Sequence, residues 1–138
     1  MLGFQDAEHE ETAPDASRLV ISKLACSLVG VRQQIHITPG TLTHRAYGKE
    51  EVTEEFRCNY GLSPRYRDRI SKSELKVTGV DPDEEVRIVE LSNHRFFLAT
   101  LFVPQLSSSP NMPHPLIVAY LKAARAFQTF RWRSEGQA

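Results

Sequence analysis

Two thiols, five imidazoles and a short acidic run are the side chains of this 138-residue sequence with the most obvious chemistry to offer. A nucleophilic cysteine needs a lowered pKa, supplied by a glycine-rich turn at a helix N-terminus or by a neighbouring cation. Cys26 has no glycine-rich turn around it and falls inside an expected strand, so it reads as a buried structural thiol. Cys58 follows Arg57, a neighbour that favours the thiolate, yet its simpler reading is a bystander. Two cysteines in a chain of this size make no disulfide framework, and free thiols in a reducing compartment are expected. Glu8, His9, Glu10 and Glu11 are consecutive rather than spaced to converge on one ion, which describes a solvated loop. His36, His44, His94 and His114 are scattered and read as structural. No metal and no cofactor is expected.

Arg65, Arg67 and Arg69 are interrupted by Asp68 and have no aromatic companion beyond Tyr66, so they describe a solvated helix face rather than a nucleic-acid platform. Arg131-Trp132-Arg133 could meet a partner, but the polar stretch 131–138 reads as a frayed tail. Basic and acidic residues balance at 17 each, which removes any electrostatic reason to expect nucleic acid or an anionic membrane. The acidic start, Asp6 to Asp15, is the reverse of a secretory signal. The longest apolar runs are far too short to cross a bilayer. A soluble, cytoplasmic single domain spanning 1–138 is the expectation.

The elements that must position these groups follow from periodicity. Met1-Leu2-Gly3 reads as the end of a helix capped by Gly3. Leu19 to Ser22 is a short strand, and Cys26 to Ile37 a longer one. Pro39-Gly40 turns the chain into a helical turn over Thr41 to Tyr47, ended by Gly48. Ser63 and Pro64 open a helix running to about Ser73. Leu75, Val77 and Gly79 alternate with polar residues, Asp81-Pro82-Asp83 turns, and Val86, Ile88 and Glu90 return. Phe96 to Val103 is apolar on both faces, as in a strand buried within a sheet. Pro104 to Pro113 is a loop. Pro115 opens a helix whose apolar face carries Ile117, Tyr120, Leu121, Ala124 and Phe127. The class is α/β or α+β, with parallel and antiparallel pairing mixed.

Three stretches in order resemble one family. Pro39 to Glu54 reads PGTLTHRAYGKEEVTE. Tyr60 to Glu90 combines a tyrosine-containing strand, a helix and two strands ending in Glu-Leu. Asn93 to Ala124 reads NHRFFLATLFVPQLSSSPNMPHPLIVAYLKAA. Together they resemble the C-terminal part of the class I glutamine amidotransferase domain of the CTP synthase family, and within it the divergent CTP synthase C-terminal region-related proteins. The resemblance covers most of the chain to about Phe127. It implies a partial class I glutamine amidotransferase-like (flavodoxin-like) α/β domain with a mixed sheet, the C-terminal half of the family's domain.

The family's chemistry, so implied, takes a Cys nucleophile on a tight elbow, a His base and a Glu that orients it. The elbow would precede Met1. Where the family has Phe-His-Pro-Glu, this chain has Phe102-Val103-Pro104-Gln105. Val103 therefore takes the place of the base, and Gln105 that of the orienting carboxylate. The family's His-Arg-His-Arg-Tyr run matches Phe56-Arg57-Cys58-Asn59-Tyr60, with Asn59 replacing the glutamine-binding arginine while Arg57 and Tyr60 remain. Three readings stay open: a catalytically inactive fragment, part of a longer enzyme of pyrimidine nucleotide (CTP) synthesis whose nucleophile lies upstream, and an interaction module re-using the fold. The partners implied are a glutamine-like small molecule, or a missing N-terminal half or partner chain.

Overall fold

The computed structural model describes residues 3–135, with side chains through residue 130. Its strands are β1 (Glu8–His9), β2 (Leu19–Lys23), β3 (Arg32–Ile37), β4 (Glu51–Glu55), β5 (Tyr60–Leu62), β6 (Leu75–Val80), β7 (Val86–Leu91) and β8 (Leu98–Thr100). The helices are α1 (Leu42–Tyr47), α2 (Arg67–Ser71) and α3 (Pro115–Glu135), with 3-10 turns at Pro64–Tyr66 and Pro104–Ser107. Five strands form an antiparallel sheet in the order β4-β3-β6-β7-β8. Three form a mixed sheet, in which β1 runs parallel to β2 and β5 antiparallel to it. The expected α/β class with mixed pairing is the one observed.

Alternating apolar residues build the core. Ile35 and Ile37 of β3 meet Ile88 of β7, with Phe56, Phe102, Leu28 and Leu116 closing around them. Gly79 lets β6 and β7 approach: a Cβ there would sit 2.7 Å from the Ile88 side chain. Helix α1 begins and ends as its sequence demands. The Thr41 hydroxyl accepts the His44 amide, and Gly48 takes the left-handed conformation (φ 68°) that closes the last turn. Its first amides are also held from outside: the buried Glu90 carboxylate accepts hydrogen bonds from the Leu42 and Thr43 amides and from the Thr43 hydroxyl.

Four expectations change. The strand expected over Cys26 to Ile37 begins only at Arg32. Before it, Gly30 (φ 75°) forms a turn, the Leu28 and Gly30 amides reach across to the Cys58 and Phe56 carbonyls, and Cys26 is exposed rather than buried. The helix expected from Ser63 to Ser73 is broken into a 3-10 turn and five α-helical residues, and the Ser63 side chain makes no capping bond. The stretch Phe96 to Val103 contributes only a three-residue edge strand, whose Ala99 faces solvent. Its apolar residues divide between the core, which Phe102 enters, and the surface. The predicted apolar face of α3 is only partly covered: Tyr120 meets the Phe96 ring and Phe127 lies under the Arg95 guanidinium, yet Tyr120, Leu121 and Phe127 stay exposed.

The rest of the reading finds its place. Gly3 has the left-handed φ of 63° expected of a cap, while Met1 and Leu2 lie outside the described residues. The backbone of α3 reaches Glu135, and the side chains of Arg131, Trp132 and Arg133 lie outside the described residues.

Candidate functional site

The segments carrying the two altered motifs cross each other. The Val103 amide donates to the Glu55 carbonyl (3.4 Å), and the Cys58 thiol donates to the Leu101 carbonyl (3.3 Å). The Phe56 and Phe102 rings meet edge to face with centroids 5.8 Å apart. Two antiparallel edges of the fold thus bring residues 55–58 against residues 101–103, although 43 residues separate the bonded pair Cys58 and Leu101. Val103 is half-buried just before the second 3-10 turn, and Gln105 is exposed on that turn. On the other segment Arg57 is exposed and paired with Glu55 (2.7 Å), and Asn59 is exposed. Tyr60 turns away into the three-stranded sheet, where its ring lies 5.1 Å from that of His9.

An isopropyl group and a carboxamide at this crossing offer no proton-transfer chemistry at neutral pH. Cys58 adds none: burial pushes its thiol up, and the pull of the Arg87 charge and of the Arg57 amide does not offset this. The acidic segment is tied down structurally: Glu8 and His9 pair with β2, and the Glu10 carboxylate accepts the Lys23 amide. His9 Nδ1 accepts the Glu11 amide, and among the described residues no three His, Cys, Asp or Glu side chains could hold a metal ion. Arg67 pairs with Glu84 and Arg69 stacks on Phe4, in keeping with a surface helix. No helix among the described residues is long and apolar enough to cross a membrane.

Directly beneath the crossing lies a cluster that residue types alone did not reveal. Glu54, on β4, is buried, and its Oε1 accepts from the Tyr47 hydroxyl (2.6 Å) and from His114 Nε2 (2.8 Å). His114 Nδ1 accepts the Leu116 amide, which leaves the ring proton on Nε2, aimed at the carboxylate. Its own amide donates to the Ser108 hydroxyl. The cluster ties α1, β4 and the start of α3 together. Burial alone would raise the Glu54 carboxyl. Hydrogen bonds from His114 and Tyr47, attraction to His114 and a smaller pull from Ser107 leave it below its ordinary value. Burial first, and then the neighbouring Glu54, push the Tyr47 hydroxyl far up. This is a locked scaffold: Tyr47 stays protonated, Glu54 charged, and His114 held in one tautomer. The expected structural role of His114 is the one observed. The signal that could have exposed its partners was an acidic residue, Glu54, at an inward position two residues before the inward Phe56.

No protein-family model matches the chain. The chain is 38% identical over 139 aligned residues to the CTP synthase of Rhodococcus jostii (strain RHA1), an alignment covering 89% of this chain and 24% of that protein. It is 43% identical over 97 residues to the CTP synthase of Pelotomaculum thermopropionicum, covering 70% of this chain and 18% of the relative. The matches therefore span between about a fifth and a quarter of the length of these curated relatives. In three dimensions it is similar to the glutaminase domain of Trypanosoma brucei CTP synthase solved with bound acivicin. The TM-score is 0.83 at 25% identity, over 91% of this chain and 53% of that one.

Proposed function

This chain belongs to the CTP synthase family, matching about half of a glutaminase domain, and from that premise we propose that it is a non-hydrolysing module that acts by docking rather than by catalysis. The observation that supports this reading is the crossing of residues 55–58 with residues 101–103, which brings together the two segments where, by the sequence resemblance, Val103 and Gln105 stand in for the family's base and orienting carboxylate. Valine holds no proton, and glutamine carries no charge to orient an imidazole. A positioned general base contributes roughly 10²- to 10⁴-fold in rate. Its loss together with the orienting group would remove ordinary glutamine hydrolysis even if an upstream segment supplied the nucleophile.

The open face of α3 favours docking. Tyr120 and Leu121 are 56% and 59% exposed, on a helix whose apolar period belongs to a packed element. A complementary half of the glutaminase domain is the partner of matching size, because the chain covers 53% of the solved domain. Such a partner would also be the route by which a longer enzyme of CTP synthesis incorporated this chain.

Ammonia release from glutamine by the purified 138-residue chain tests the reading. No release above a buffer blank is expected. Release that disappears in Cys58→Ser or Cys26→Ser would establish a new active site and overturn it.

A further inference from the structure

The five-stranded sheet ends on β8, and that end is open. The Leu91 amide donates to the Phe97 carbonyl and the Leu101 amide to the Arg87 carbonyl, so residues 97, 99 and 101 direct their backbone groups to β7. Leu98 and Thr100 direct theirs the other way, where no strand among the described residues pairs with them. Open edges are ordinarily guarded by charges, prolines or bulges. Here the whole stretch Phe96 to Val103 holds no charged residue, no proline and no glycine, and Ala99 within it is exposed. An apolar groove of about 290 Å³ lies against the same strand. Val89, Ala99 and Leu101 line it on the side of the large sheet, and Ile21 and Leu62 on the side of the small one.

We propose that two copies of this chain pair antiparallel along the open edge of β8, about a two-fold axis at Ala99. The edge is self-complementary in that register. With Ala99 facing Ala99 of the second copy, Leu98 of each copy stands opposite Thr100 of the other, and outward amides meet outward carbonyls in both directions. Ala99 then takes a non-hydrogen-bonded position, where facing Cα atoms come within about 4.5 Å, and a methyl side chain suits that approach. Alternation puts Phe97 on the face of Ala99 and Leu101. In the pair, Phe97 of the second copy stands opposite Leu101, at the apolar groove, and covers it. Charge favours a second copy as the occupant. A two-fold axis brings each side chain near its own counterpart, so a charged edge repels its copy and this uncharged one does not. The pairing does not depend on the complementary half proposed above.

Sedimentation velocity of the full chain, run from micromolar to submillimolar concentration, reads the pairing. A concentration-dependent dimer is expected, and a monomer throughout overturns the proposal. Ala99→Lys changes an exposed side chain, leaves the backbone bonds to β7 in place and sets like charges against each other at the axis. It should weaken the dimer about tenfold or more, and Ala99→Glu should do the same. An equimolar mixture of these two variants should restore the dimer as a mixed species, because a two-fold contact at Ala99 places the opposite charges face to face. Thr100→Pro removes an amide that points away from β7, and should give a monomer with an unchanged circular dichroism spectrum. If Thr100→Pro folds poorly, the charge pair still decides. A dimer that survives Ala99→Lys, or a mixture no more dimeric than either variant alone, places the contact elsewhere and overturns the edge pairing.

Discussion

Two buried polar clusters stand at either end of one line of rings, and they are built differently. Arg87 lies 5.7 Å from the Phe56 ring centre, Phe56 meets Phe102, and Phe102 meets His114. At the His114 end, Glu54, Tyr47 and the imidazole satisfy one another in packed surroundings, and a single oxygen, Glu54 Oε2, is left without a hydrogen bond. At the Arg87 end, Asp81 accepts from Arg87 (2.6 Å) and from Gln33 (2.9 Å), and three polar atoms are left over. A buried polar group with most of its partners in place specifies architecture, whereas one with several atoms left partnerless contributes less to it. The first cluster ties α1, β4 and the start of α3 together; the second leaves two nitrogens of Arg87 and one oxygen of Gln33 without partners.

The comparison breaks most easily at His114. Replacing it with Ala leaves a buried carboxylate with one partner fewer and opens a hole beside Phe102, at an expected cost of about 3–5 kcal/mol. Urea unfolding followed by circular dichroism would measure it, and a loss under 1 kcal/mol would mean that the cluster is not holding α1, β4 and α3 together. Arg87→Met should cost less, about 1–3 kcal/mol. Asp81 keeps Gln33 and two amides, and the substitution also removes two unpaired donors. A loss larger than that of His114→Ala would reverse the ranking, and with it the distinction between a closed and an unfinished cluster.

Acid sharpens the same contrast. The Glu54 carboxyl is held below its ordinary value in the folded chain, so the unfolded chain binds its proton first as pH falls. Its stabilisation is fully present above the ordinary carboxylate range and is lost as pH drops through the lower folded-state value. Unfolding free energy should therefore decline between about pH 5 and pH 3, as expected from the ordinary carboxylate values. Glu54→Gln should start lower at neutral pH and decline less steeply. Parallel curves for the two proteins would show that other carboxylates carry the acid sensitivity.

How much of this was legible beforehand differs by residue. The turn at Asp81, the strand pair around it and the helical turn closed by Gly48 were readable because local rules decide them: alternation, a turn tripeptide, a left-handed glycine. Cys26 misled, because Leu28 and Ile35 look like members of one alternating strand, while Gly30 and cross-chain bonds to Phe56 and Cys58 make the first part a loop. Phe96 to Val103 misled for a related reason. An apolar run signals burial but not which neighbour provides it, and here an edge strand sends Phe102 inward and leaves Ala99 out. Neither polar cluster was visible, since Glu54 with His114 and Gln33 with Asp81 are joined only by tertiary contacts across 60 and 48 residues of chain.

The smallest expected effect concerns α3, where the sequence pattern and the packing disagree. Leu121 sits on the apolar stripe yet is 59% exposed. Leu121→Gln should therefore alter the stability of the isolated chain by no more than about 0.5 kcal/mol, as surface substitutions do. The near-silence of that change is informative, because the same substitution buries an unpaired amide wherever the stripe is covered. With a complementary glutaminase half added in trans, the unaltered chain should form a complex and the variant should bind it markedly less well. Should Leu121→Gln cost the isolated chain 2 kcal/mol or more, the stripe is already covered within this chain, and the argument for docking through α3 falls.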